Sequence, residues 1–122
     1  MPRDVGICLR EANLCFQYEC YVASSIMLRK AMEVAVNKKF LQSENANNLL
    51  DKEGNELSLS KKLVKLGEIV PGVRKDVEEM KVVKWFGDKG AHDPTMIVTP
   101  EALQTIVVPR LKSFLSKLSL RA

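Results

Sequence analysis

The sequence predicts an all-α protein, an up-and-down bundle of four main helices with one additional short helix. Apolar residues recur at helical spacing through most of the 122 residues. Strand signals are thin, because the only β-branched runs, Ile97-Val98-Thr99 and Ile106-Val107-Val108, are both short. The balance of 46% apolar and 28% charged residues is ordinary for a soluble globular chain, and supports one domain over residues 1–122.

The first helix is expected over residues 2–18, where Val5, Cys8, Leu9, Ala12, Cys15 and Phe16 hold one apolar face. Pro2 suits its first turn, where a missing N–H costs little. A second stripe, Ile7, Leu14 and Tyr18, lies on another face and is suited to a neighbouring helix or a partner chain. The second helix, over 21–40, is apolar on most sides and rich in small residues, which assigns it to the centre of the bundle. Arg29 and Glu33 sit four apart on it, at pairing distance.

Residues 41–58 break the pattern with Asn45, Asn47, Asn48, Gly54 and Asn55, and read as a polar loop. Ser58 or Ser60 then caps a short helix carrying Leu59, Leu63 and Leu66, with Gly67 suited to a left-handed end. After the Pro71-Gly72 turn a helix runs from about Val73, with Val77, Met80 and Val83 or Lys84 inward, until Pro94 stops it. Thr99-Pro100-Glu101 opens the last helix, whose stripe runs from Leu103 through Leu111 and Phe114 to Leu118. Pro109 lies inside this stripe, which predicts a kink and a Thr105 carbonyl without its usual donor.

Charge and cysteine usage narrow the function classes. The 19 basic and 15 acidic residues leave a net charge of +4, too mild to demand a nucleic-acid partner and no bar to one. Residues 1–60 hold 7 basic and 8 acidic groups, against 12 and 7 in residues 61–122, and the last helix carries Arg110, Lys112, Lys117 and Arg121. This side is either a phosphate-facing surface or a solvated face. Cys8, Cys15 and Cys20 are an odd set without a CxxC pair, so they read as reduced, packed thiols rather than a disulfide framework or a metal site. No apolar run approaches the ~20 residues that span a bilayer. Met1-Pro2-Arg3-Asp4 lacks a signal-peptide core, so a cytoplasmic protein is expected. Without a P-loop, a GxGxxG or a Ser-His-Asp constellation, the expectation is no cofactor and no metal.

The informative segment is Lys84-Trp85-Phe86-Gly87-Asp88-Lys89-Gly90-Ala91-His92, which holds the only His, the only Trp and two glycines. Each glycine costs a helix about 1 kcal/mol relative to alanine. Two together imply a backbone requirement: close helix approach, a kink, or space for a ligand. On a continuous helix Lys84, Asp88 and His92 form one polar stripe, with Asp88 able to accept the imidazole proton. Imidazole and cation are the groups that metal-independent RNA cleavage requires. The plainer reading has His92 ending a helix beside free carbonyls and Trp85 and Phe86 in the core.

This pattern, basic-x-x-Gly-(Asn/Asp)-x-x-Ala-His, follows a helix carrying Leu28-Arg29-Lys30-Ala31-Met32-Glu33. In that order it resembles the prokaryotic "domain of unknown function 4145" family of the HEPN superfamily. Leu63-Val64-Lys65-Leu66-Gly67 and the apolar helix after Thr99-Pro100-Glu101 match the same layout. The resemblance implies a dimeric four-helix bundle associated with restriction, defence or other nucleic-acid-handling systems. Several HEPN proteins are metal-independent ribonucleases using an arginine and a later histidine. Carried over, His92 matches the histidine and Lys84 takes the basic position. Gly87, Asp88, Lys89 and Gly90 complete that motif, and Arg29 and Glu33 the earlier helix.

The departures bear on activity. Seven residues separate Lys84 from His92, more than the superfamily's usual interval. Lysine lacks the planar fork with which arginine grips a phosphate. Asp88, where the family often has asparagine, sets a negative charge beside the site. The expected function is therefore a non-catalytic HEPN-like module that forms a homodimer and binds an RNA or protein partner. The alternatives are a metal-independent endoribonuclease using His92 and Lys84, and an antitoxin-like or structural subunit that needs a separate partner.

Overall fold

Cross-helix pairs define the topology in a computed structural model that describes all residues, 1–122. Helix α1 (Arg3–Gln17) and helix α2 (Tyr21–Gln42) are joined by a tight turn. Lys38 near the end of α2 pairs with Asp4 at the start of α1, at 3.2 Å, so the two run antiparallel. Helix α3 (Leu59–Ile69) follows a loop, and a 3₁₀ turn over Pro71–Asp76 leads into helix α4 (Val77–His92). Arg29 meets Asp88 while Ser25 and Val22 meet Gly90, so α4 is antiparallel to α2. The last rod comprises α5 (Pro100–Ala102), a π-helical turn over Leu103–Val107, and α6 (Val108–Leu118). Lys117 near its end reaches Asp76 just before α4, and Arg121 reaches Gln42 at the end of α2. The rod is thus antiparallel to α4, which completes an up-down-up-down bundle with α3 as the extra short helix. No strand forms; a single bridge joins Leu50 and Glu56.

Helix α2 occupies the centre, touching α1, α3, α4 and α6, as its all-round apolarity requires. Leu28, Met32, Val36 and Phe40 from α2 pack with Leu63 and Leu66 of α3, Met80 and Val83 of α4, and Leu111 and Phe114 of α6 in one core. The serines of α2 serve close approach. Ser24 donates its hydroxyl to the Ala12 carbonyl at 2.9 Å, which satisfies a buried hydroxyl against the neighbouring helix. No helix is long and apolar enough to cross a membrane.

Helix ends explain several boundaries. Ser58 and Thr99 accept the backbone N–H of Lys61 and Ala102 and start α3 and α5. Pro2 stands one residue before α1 rather than within its first turn. The first two helices end in the same motif. Glu19 donates its N–H to the Phe16 carbonyl and Cys20 to Cys15, and Glu44 and Asn45 do the same to Leu41 and Phe40. Both glutamates are left-handed, with φ of 62° and 58°, where glycine is the usual choice. A side chain there costs about 1–2 kcal/mol. Glu19→Gly is therefore expected to stabilise the protein by about 1 kcal/mol in urea denaturation. A midpoint that stays put or falls would refute the strain.

Two expectations about helix bounds need correction. Gly67 does not end α3. It lies inside the helix, buried, where a Cβ would come within 3.2 Å of Val77 Cγ2, so its role is close packing on the next element. The α-helical part of the fourth helix starts at Val77, because Pro71 favours the 3₁₀ turn that precedes it. The disturbance at Pro109 takes the form of the π-helical turn, in which the Val108 N–H reaches back to the Leu103 carbonyl.

The loop within residues 41–58 is organised rather than open. Helix α2 runs on to Gln42, Ala46–Leu49 forms a 3₁₀ turn, and Asp51 Oδ1 accepts the N–H groups of Glu53 and Asn55 at 2.9 Å. Gly54, at φ 84°, supplies the left-handed turn residue. Lys62 of α3 holds the loop down. Its side chain is only 1% exposed, and its ammonium bonds Asn37 at 2.9 Å and the Glu56 carboxylate. Of the three thiols, Cys8 is buried, Cys15 half-buried and Cys20 exposed, so Cys20 departs from the packed set that was expected. Burial pushes the Cys8 thiol above its usual pKa.

Candidate functional site

The glycine-bearing segment is one side of a tight seam between α2 and α4. A Cβ on Gly87 would fall on the Arg29 Cβ and within 3.0 Å of its Cγ and Cδ. One on Gly90 would sit 2.9 Å from Ser25 Oγ and 3.3 Å from Val22 Cγ1. Close helix approach, among the three readings the glycines allowed, is therefore the one realised.

That approach brings Arg29 over the α4 backbone and into a chain of four charges. Arg29 Nη1 pairs with Glu33 at 2.7 Å, Arg29 Nε lies 2.6 Å from Asp88 Oδ1, and Lys84 pairs with Asp88 Oδ2. The Arg29–Asp88 contact is thus a charge pair across the seam, joining the two helices. Burial raises the Asp88 pKa. The Lys84 hydrogen bond and the charges of Arg29 and Lys84 outweigh that and hold the carboxyl below its ordinary value. The two cations and two carboxylates cancel, so the seam presents no net charge.

The expected stripe is thus half realised. Lys84 and Asp88 pair as their spacing required, but Arg29, not His92, is the second partner of Asp88. His92 is exposed in the last turn of α4, and its side chain makes no hydrogen bond within the chain. At about 1.5 Å rise per residue it stands about 12 Å along the helix from Lys84. Asp93 accepts the N–H and hydroxyl of Thr95 at 2.9 and 2.7 Å, which turns the chain away after α4.

On the outer side of the same helix, Trp85 is 49% exposed and stands edge-on to the partly buried Phe86, with ring centroids 5.1 Å apart. Trp85 is therefore not a core residue as the plainer reading had it. Lys81 and Lys89 lie one turn either side of it, and His92 two turns on. Lys81 pairs with Glu78 at 3.0 Å, while Lys89 makes no ion pair. The basic face read on the last helix is largely taken up. Lys117 bonds the buried Asp76 at 3.1 and 3.2 Å, Arg121 bonds Gln42, and Arg110 donates to the Ile106 carbonyl.

Sequence reasoning missed Lys62 and the Arg29–Asp88 contact. Lys62 had a faint signal, since it falls on the face of Leu59, Leu63 and Leu66. The chain matches no protein-family model, no curated protein and no solved structure.

Proposed function

We propose that the chain is a non-catalytic, HEPN-like helical module that forms a homodimer and binds a nucleic-acid partner on the outer face of α4. The observation that carries this reading is Trp85, half-exposed between Lys89 and Lys81, with His92 beyond. An exposed aromatic ring with an unpaired cation, Lys89, one turn away suits the stacked bases and phosphates of a single strand. Ile7 and Leu14 on α1 and Tyr18 just beyond its end remain exposed and support a second copy as the dimer partner. The seam supports the non-catalytic part of this reading. Lys84 is paired with Asp88, and His92 stands two turns further along the helix with no charged partner of its own.

Titrating the protein with single-stranded RNA in chelator, with Trp85 emission as the readout, tests this. The emission is expected to fall saturably, to recover with salt, and to respond about tenfold more weakly in Lys89→Glu, at about 1.4 kcal/mol for the reversed charge. Sedimentation of the protein without RNA should give twice the 13.7 kDa chain mass, and the RNA in the titration should stay intact. Unchanged emission contradicts the reading. Cleavage that disappears in His92→Ala would establish instead the ribonuclease built on His92 and Lys84.

A further inference from the structure

A second feature lies on the other side of α2. A cleft of about 370 Å³ opens between α1, α2 and the last rod, at the small end of the range for ligand sites. Its floor is Ala12, Ser24, Leu28 and Leu111, all buried. Ser24 spends its proton on the Ala12 carbonyl, so the floor offers no free donor. Leu9, Phe16 and Val108 form the walls.

The rim has the opposite chemistry. Asn13, Gln104 and Lys112 are exposed, and none of their side chains is hydrogen-bonded or ion-paired within the chain. No carboxylate lines the cleft. Lys112 is thus a cation without a counter-ion at the mouth of an apolar slot, on a helix whose Lys117 is already paired. The π-helical turn over Leu103–Val107 adjoins this wall, between Gln104 and Val108. Such turns recur at functional sites, because the extra residue widens the helix locally and re-aims the side chains around it.

We infer that this cleft binds an amphipathic anion, a free unbranched carboxylate of medium chain length, with its hydrocarbon on Leu28 and Leu111 and its carboxylate at Lys112, Gln104 and Asn13. The apolar floor selects the tail, and the lone cation with two amide donors selects the sign and the hydrogen-bonding of the head.

The test is calorimetric titration of the intact protein with hexanoate, octanoate and decanoate, and with decyltrimethylammonium, each below its micellar concentration. Affinity is expected to rise about fourfold per added methylene until the slot is full. The ammonium should bind at least about tenfold more weakly than decanoate, and Lys112→Glu should reverse that order. Val108→Trp, which fills the slot from its wall, should abolish binding while the melting temperature of the protein shows that it is folded. Equal binding of the anionic and cationic amphiphiles, indifference to Lys112→Glu, or no heat with any carboxylate would overturn the inference. So would association with anionic vesicles without binding of free decanoate. A dimer that dissociates in Val108→Trp, in protein that takes up no decanoate, would make the cleft a subunit interface and overturn it equally.

Discussion

Gly87→Ala is expected to destabilise the protein by about 1–3 kcal/mol. By helix propensity alone the same change should stabilise it by about 1 kcal/mol, so the sign is diagnostic. The new methyl would meet Arg29 at its Cβ, the atom nearest the α2 backbone, which cannot swing aside like the end of a long side chain. Relief requires α2 and α4 to part, and parting them separates Arg29 from Asp88 and loosens Leu28 and Val83 in the core beneath. Gly72→Ala is the control, because no atom lies within 4 Å of the position a Cβ would take there. Gly90→Ala should fall between the two, since its nearest neighbour is the Ser25 hydroxyl, which can give way only by loosening its bond to the Val22 carbonyl. Urea denaturation of the three variants measures this. Equal midpoints for Gly87→Ala and Gly72→Ala would show that the seam is not tight.

Asp88→Asn is the second large effect. It keeps the shape of the side chain and removes the charge that both Arg29 and Lys84 share. Breaking a fully buried pair costs about 3–5 kcal/mol and an exposed one about 0–1 kcal/mol. Asp88 is 32% exposed, which sets the expected loss between them, at about 1–2 kcal/mol near neutral pH. Because its pKa is depressed in the folded protein, the stabilisation is present above the unfolded-state value and disappears as pH falls through the folded one. The wild-type protein and Asp88→Asn should therefore differ at pH 7 and converge below the ordinary carboxylate range. A gap that widens in acid, or none at neutral pH, contradicts the pairing.

The helices were legible because their signal is local and periodic. The Leu103-to-Leu118 stripe and the all-round apolarity of α2 each sufficed to predict where those helices lie. Lys84 with Asp88, and Arg29 with Glu33, were legible for the same reason, being one turn apart on single helices. The contact that decides the site, Arg29 to Asp88, joins residues far apart in sequence through the seam the glycines permit, and no spacing rule encodes it. His92 was assigned to Asp88 because intrahelical geometry allowed it; a cross-helix guanidinium took the position. Glu19 and Glu44 were invisible as helix terminators, because the left-handed geometry there is imposed by the turn against the preference of the residue. Gly67 misled in the opposite sense. It has the composition of a helix end, yet its lack of a side chain serves the packing of Val77.

We propose that the two sides of α4 have separate tasks, the inner side sealed on α2 and the outer side offered to a nucleic-acid strand. Backbone and indole NMR shifts followed during addition of single-stranded RNA test it most directly. The account predicts shifts at the Trp85 indole, Lys89 and His92, with Arg29 and Gly87 unmoved. Shifts confined to Ile7, Leu14 and Tyr18, or none anywhere, would contradict it.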